Sequence, residues 1–158
     1  MKTRYEIKLE SEVEPTTVKV IADGLGAFNA SHTGGEMPKY LVISLRDGTG
    51  AVVGGLVGAT YLGWLHVNAL WVPDELRGNR YGEKLLAQAE EEAVRRNCRR
   101  AFLETLSFQA LGFYEKRGYR VFSKLEDFPI GGARYALIKE LVDGEKKVKR
   151  KKSPKSEG

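Results

Sequence analysis

Six consecutive residues, Arg77-Gly78-Asn79-Arg80-Tyr81-Gly82, put two guanidinium groups and two glycines where a hydrophobic run gives way to a helical pattern. A turn leading directly into a helix leaves backbone N–H groups unpaired at the positive end of the helix dipole, a ready site for an anion. Gly78 and Gly82 let a phosphate approach the backbone, and the arginines add charge and forked donors. The plainer alternative is a loop that enters a helix and binds nothing. The segment lacks the Gly-Lys-Ser/Thr that cradles nucleotide phosphates and magnesium, which disfavours a nucleotide phosphate-loop enzyme. Cys98 is the sole cysteine and reads as structural. Without a Cys/His cluster, neither a metal site nor a covalent triad has support.

The elements around this loop must hold it. Residues 65–72 are aliphatic, aromatic and β-branched and predict a strand that Pro73 stops. From Gly82 the apolar residues Leu85, Leu86, Ala89, Ala93 and Val94 recur on one helical face, with Asn97 as a left-handed stop. Alternation predicts a first strand over residues 4–9. Pro15 suits the first turn of a helix over 16–28, which Gly24 and Gly26 weaken, and residues 29–38 read as an entry loop. Residues 40–45 and 51–61 predict a hairpin about Asp47-Gly48-Thr49-Gly50, with a bulge at Gly54-Gly55. A buried strand over 101–107, a short helix over 109–116, and strands over 119–123 and 134–141 complete the order. The strands bracket the long helix, so the fold class is α/β, a mixed sheet with helices on both faces.

Composition narrows the function classes. The chain has 158 residues, 42% of them hydrophobic, enough for one domain with a real core. Its formal charge of +5 resides wholly in residues 144–158, which carry seven Lys and Arg side chains against two Glu; residues 1–143 balance at nineteen of each sign. The expected division is therefore a body over 1–143 and a basic, disordered tail over 144–158. The tail alone offers weak attachment to nucleic acid or another polyanion; a solvated, dispensable tail is the plainer alternative. The first residues lack the apolar core of a signal peptide, and no run reads as a membrane span, which favours the cytoplasm.

The loop and a second block together resemble the GNAT superfamily of acetyl-CoA-dependent N-acetyltransferases. Arg77 and Gly82 match the ends of its pyrophosphate loop, with Arg80 where a glycine is more usual. The second block, LETLSFQALGFYEKRGYRVF, places Ala110, Phe113-Tyr114 and Gly118-Tyr119 at the family spacing, with Ser107 in place of a frequent asparagine. The resemblance spans roughly residues 4–141. It implies a central, mostly antiparallel twisted sheet in which two parallel neighbours, here residues 65–72 and 101–107, splay apart around the pantetheine arm. Main-chain groups of Leu70, Trp71 and Val72 would pair with that arm, Ser107 would help to hold it, and the N–H groups of residues 77–82 would take the pyrophosphate.

The resemblance further implies direct attack of a neutral amine on the thioester, with no acyl-enzyme. Tyr114 matches the tyrosine that contacts or protonates the departing thiolate; packing its helix on the sheet is the alternative. His66 and Asn68 resemble positions of a water-linked proton path in arylalkylamine acetyltransferases. Alternation puts them on one strand face with Leu70, opposite Leu65, Val67, Ala69 and Trp71. Glu104, on the neighbouring strand, is the other candidate base, unless it only forms an ion pair with a nearby arginine. Glu126 and Asp127 could attract a cationic amine or form a solvated turn. The expected acceptor is a small-molecule amine, and homodimers are common in the superfamily. The rival reading is a non-catalytic acyl-CoA sensor or scaffold.

Overall fold

The computed structural model describes residues 3–142, which fall into two compact units that meet between Met37 and Pro38. The basic segment 144–158 lies outside the described residues. In the first unit the expected strand over residues 4–9 does not form. Tyr5, Ile7 and Leu9 stand at 88–102% exposure, because alternation supplies a pattern but no strand with which to pair. Helix α1 runs Pro15–His32 with Pro15 in its first turn. It passes Gly24 and Gly26 without interruption and takes in residues 29–32, expected as loop. Two glycines cost an eighteen-residue helix only about 2 kcal/mol, and the hydroxyls of Ser31 and Thr33 bond back to the Phe28 and Asn29 carbonyls near its end.

The second unit is a six-stranded sheet: β1 Lys39–Arg46, β2 Val52–Tyr61, β3 Trp64–Trp71, β4 Arg100–Leu106, β5 Arg120–Glu126 and β6 Ala133–Glu140, in the order β1-β2-β3-β4-β6-β5. Only β3 and β4 are parallel, as a crossover helix between them requires. That helix, α2 (Tyr81–Arg95), buries Leu85, Leu86, Ala89 and Ala93 in one cluster with Leu41, Leu56, Leu65, Val67, Ala101, Leu103 and Leu137. Each buried leucine contributes about 1.5–3 kcal/mol. Asn97, at φ 65°, ends the helix as expected: the Asn97 N–H reaches the Val94 carbonyl at 3.0 Å and the Cys98 N–H that of Ala93 at 2.9 Å, the Schellman arrangement.

Two details differ from the sequence reading. The β1–β2 hairpin forms where expected, and Asp47 Oδ1 accepts from Thr49 and Ala51 to close it, but its irregularity leaves Val53 as the extra residue, one position before Gly54. Strand β5 continues through Glu126, so Glu126 pairs with Ala133 within the sheet and does not belong to the connecting turn.

Candidate active site

The parallel ladder between β3 and β4 is short. Trp64, Leu65, His66 and Val67 pair with Arg100, Ala101, Phe102 and Leu103, and there the pairing stops, although β3 continues to Trp71 and β4 to Leu106. Beyond Val67 and Leu103 the facing edges have no strand between them. The outer edges stay paired, β3 with β2 through Trp71 and β4 with β6 through Leu106. The result is a gap lined by main-chain donors and acceptors, with a held wall on either side.

The β2–β3 register adds a bulge. Gly58 pairs with Val67 and Val57 with Ala69, which leaves Asn68 as the extra residue. The strict alternation expected for β3 therefore breaks. Leu70 packs against the core beside Leu65 and Val67, and does not share a face with His66. A bulge shifts the phase of every side chain after it. Gly58 allows the close approach: a Cβ there would lie 2.6 Å from the His66 carbonyl oxygen.

His66 stands at the last stitched part of the gap. Its ring stacks on Phe102 at 4.3 Å with 6° between planes, and its Nδ1 lies 3.2 Å from Asn68 Nδ2. Burial holds the imidazole below the usual histidine value, while the charge of Glu104 pulls it up. Glu104 itself is engaged in an ion pair with Arg134, whose guanidinium lies 5.0 Å from the Phe128 ring centre.

The loop after β3 turns through a short 3-10 segment, Asp74–Leu76. Gly78, at φ 80°, and Arg80, at φ 63°, then bring the chain into α2. Only glycine adopts such a φ freely, so Arg80 is a strained link immediately before the helix. Among the described residues, the N–H groups of residues 78–83 find no acceptor, and no side chain caps α2. These are the orphan donors that an anion would satisfy. Both arginines have protein partners. Arg77 bonds the Val72 carbonyl at 3.2 Å and Asp74 at 2.8 Å, while Arg80 makes a two-armed contact with Glu83, both arms at 2.9 Å. The Asn79 amide donates to the Leu76 and Arg77 carbonyls, which fixes the turn. Tyr81 receives Lys84 against its ring at 5.9 Å. A Cβ on Gly82 would meet the Phe113 ring at 3.4 Å, so glycine here lets the third helix, α3 (Leu111–Glu115), press against the start of α2.

Tyr114 on α3 is buried, at 7% exposure, edge-on to both Phe113 and Tyr119. Burial pushes its phenol up from the usual value. Its hydroxyl has no hydrogen-bond partner among the described residues. Ser107 Oγ accepts from the Ala133 N–H at 3.1 Å and thereby pins the end of β4 to the start of β6. Glu126 pairs with Lys124 at 3.2 Å. Asp127, at φ 55°, accepts from the Gly131 N–H at 3.2 Å and so shapes the β5–β6 turn.

Sequence reasoning did not single out Phe102, Glu83, Arg117, Arg134 or Gln109. Phe102 faces His66 because the parallel register sets them side by side. Gln109 Oε1 accepts from the Leu106 N–H at 2.7 Å and shapes the turn into α3. Only Glu83 carried a local signal, being an acidic residue in the first turn of a helix.

The chain has relatives among known proteins. Residues 9–119 match the Acetyltransferase (GNAT) family. An acetyltransferase of Agrobacterium fabrum is 44% identical over 101 residues, 64% of this chain and 74% of that protein. The blasticidin-S acetyltransferase of Streptomyces morookaense is 43% identical over 93 residues, 58% of this chain and 68% of that protein. A solved acetyltransferase from Agrobacterium tumefaciens superposes with a TM-score of 0.81 at 36% identity, covering 86% of this chain and 99% of that one. Another, from Bacillus cereus, gives 0.72 at 29% identity, covering 84% and 97%. With the family match covering most of its length, the chain is a member of the GNAT family of acetyltransferases.

Proposed function

We propose that the protein transfers the acetyl group of acetyl-CoA to the primary amine of a small molecule, by direct attack in a ternary complex. The observation that carries this reading is the four-pair β3–β4 ladder ending beside an uncapped α2. Such a seam fits an extended amide-bearing arm, and the free N–H groups of residues 78–83 fit a diphosphate. The relative that acts on blasticidin S supports a small acceptor.

The donor's main-chain partners would be the gap-facing groups around Leu70, Trp71 and Val72, with the Ser107 hydroxyl available at the opposite wall. Acetyl-CoA supplies the activated thioester; the chain supplies placement and proton transfer. An alkylammonium with a pKa of about 10.4 is protonated at pH 7, and freeing its lone pair costs about 4 kcal/mol. His66, which burial keeps neutral, is positioned to take that proton directly or through water. With Asn68 Nδ2 donating to Nδ1, the ring's own proton sits on Nε2. Turning the amide so that its oxygen accepts from Nδ1–H frees Nε2 as the base. Asn68 is thus a positioning residue for the imidazole. Glu104, held by Arg134, sets the field around the ring. Tyr114, whose phenol stays neutral, is the proton donor for the departing sulfur. Glu126, at the end of β5, offers a carboxylate to the cationic amine, and Asp127 shapes the turn beside it.

Thiol release from acetyl-CoA across a panel of small amines, blasticidin S among them, and basic peptides tests this reading. Turnover is expected with a small amine, and equally from a chain ending at residue 143. Turnover confined to peptides would overturn the small-molecule assignment. Tight acetyl-CoA binding without turnover on any acceptor would replace the enzyme with a sensor.

A further inference from the structure

Arg117 lies outside the residues assigned to the loop, yet it is built into it. It follows α3, 25% exposed at its side chain, and its guanidinium lies over the Phe113 ring, 3.8 Å from the ring centre. Phe113 in turn lies against Gly82 at the start of α2. One arm of the fork bonds the Phe113 carbonyl at 2.9 Å, and the other reaches Glu83 Oε2 at 3.3 Å. The same Oε2 also accepts from Arg80 Nε at 2.9 Å. One carboxylate is therefore shared by a guanidinium anchored in the protein and another, 74% exposed, at the helix start. The anchored one is held at a cost, since Arg117 Nε is sealed away without an acceptor among the described residues.

Glu83 creates an electrostatic problem for the proposed site. A carboxylate in the first turn of α2 stabilises the free helix, but it repels a diphosphate arriving at the same N–H groups, and it occupies the fork of Arg80. We propose that Arg117 is a positioning residue for donor binding: it retains and neutralises Glu83, so that Arg80 can leave the carboxylate and turn its fork to the donor's phosphates. The exchange conserves charge, with two guanidiniums and one carboxylate before binding and the same three groups plus the diphosphate after it. Arg117 touches no substrate in this scheme. Lysine, a point charge without a planar fork, would do the work only in part. The inference rests on the assignment of residues 77–82 to the donor's phosphates.

The test is acetyl-CoA titration by calorimetry on full-length Arg117→Gln, Glu83→Gln, the double variant and Arg80→Ala, with steady-state kinetics and thermal melts beside it. Arg117→Gln is expected to raise Kd and KM for acetyl-CoA about 10-fold, the scale of one charge-assisted hydrogen bond. The values of kcat and of KM for the amine should be unchanged. In the Glu83→Gln background the same substitution should change Kd less than twofold, because no carboxylate remains to neutralise. Arg117→Lys should fall between wild type and Arg117→Gln; if Arg117→Gln does not fold, Arg117→Lys takes its place in the cycle with an effect of about threefold. Equal losses in both backgrounds, or a lowered melting temperature with unchanged Kd, would overturn the role of Arg117. Unchanged affinity in Arg80→Ala would instead overturn the phosphate-loop assignment on which the role stands.

Discussion

At the scale of single residues, two side chains carry opposite protonation tasks and sit in surroundings that suit each. Burial lowers the His66 pKa, so the neutral form that accepts a proton persists below pH 6.5, the ordinary histidine value. The acidic limb of kcat against pH should therefore lie below 6.5 and vanish in His66→Gln, together with about 10²-fold in rate. Asn68→Asp would add a negative charge facing Nδ1, favour the imidazolium and move that limb to higher pH. A pH–rate series on the three proteins checks both shifts, and a limb that survives in His66→Gln would remove His66 as the base. Tyr114 is shifted the other way: burial keeps its phenol protonated, as a donor must be. Tyr114→Phe should lose about 10²-fold in kcat with little change in KM for acetyl-CoA. A loss confined to thermal stability would mean that the ring only packs.

At the scale of elements, periodicity and turn chemistry located α2, its Asn97 stop, the β1–β2 hairpin and both strands of the gap. Those signals are local: a run of apolar residues and a turn chemistry that needs few neighbours. The bulge at Asn68 was not legible, because it arises from the match between β2 and β3, and neither strand marks it alone. The expected first strand over residues 4–9 failed for the same reason, since alternation cannot supply a partner. The geometry of the candidate loop was legible where motif and local structure coincide, in Arg77, Gly78, Arg80 and Gly82. It was illegible where long-range packing decides, as with the Phe102 ring beneath His66, the Arg134 partner of Glu104 and the Arg117 arm on Glu83. Gly82 shows both sides. The sequence assigned it to phosphate approach, and the structure adds that its missing side chain makes room for Phe113. Gly82→Trp should push α3 from the start of α2 and weaken acetyl-CoA binding at least 10-fold by calorimetry, the result expected when a closely packed helix start is wedged open. Unchanged affinity would move the phosphate site elsewhere.

At the scale of the whole molecule, the sheet is asymmetric in its stitching. Antiparallel pairings run nearly the full length of β1–β2, β2–β3, β4–β6 and β5–β6, while β3 and β4 share only four pairs. The sheet is thus two well-bonded plates joined by a brief hinge-like ladder, with α2 and its four buried residues bracing one side. This division explains how one small unit can combine a rigid core with a line of unspent hydrogen-bonding capacity. It also gives the family assignment a physical content, since the acyl donor would complete the sheet as a strand would.

That incomplete seam should be visible to solvent deuterium. The amides of residues 68–72 and 104–106 that face the gap have no cross-strand acceptor, whereas their neighbours in the ladder at 64–67 do. In the free protein these gap amides should label orders of magnitude faster than those of β6, and saturating CoA should slow them selectively. Mass spectrometry on peptides covering the two strands would show the difference. The substrate would then act as the missing fastener of the fold, and the melting temperature should climb with its concentration.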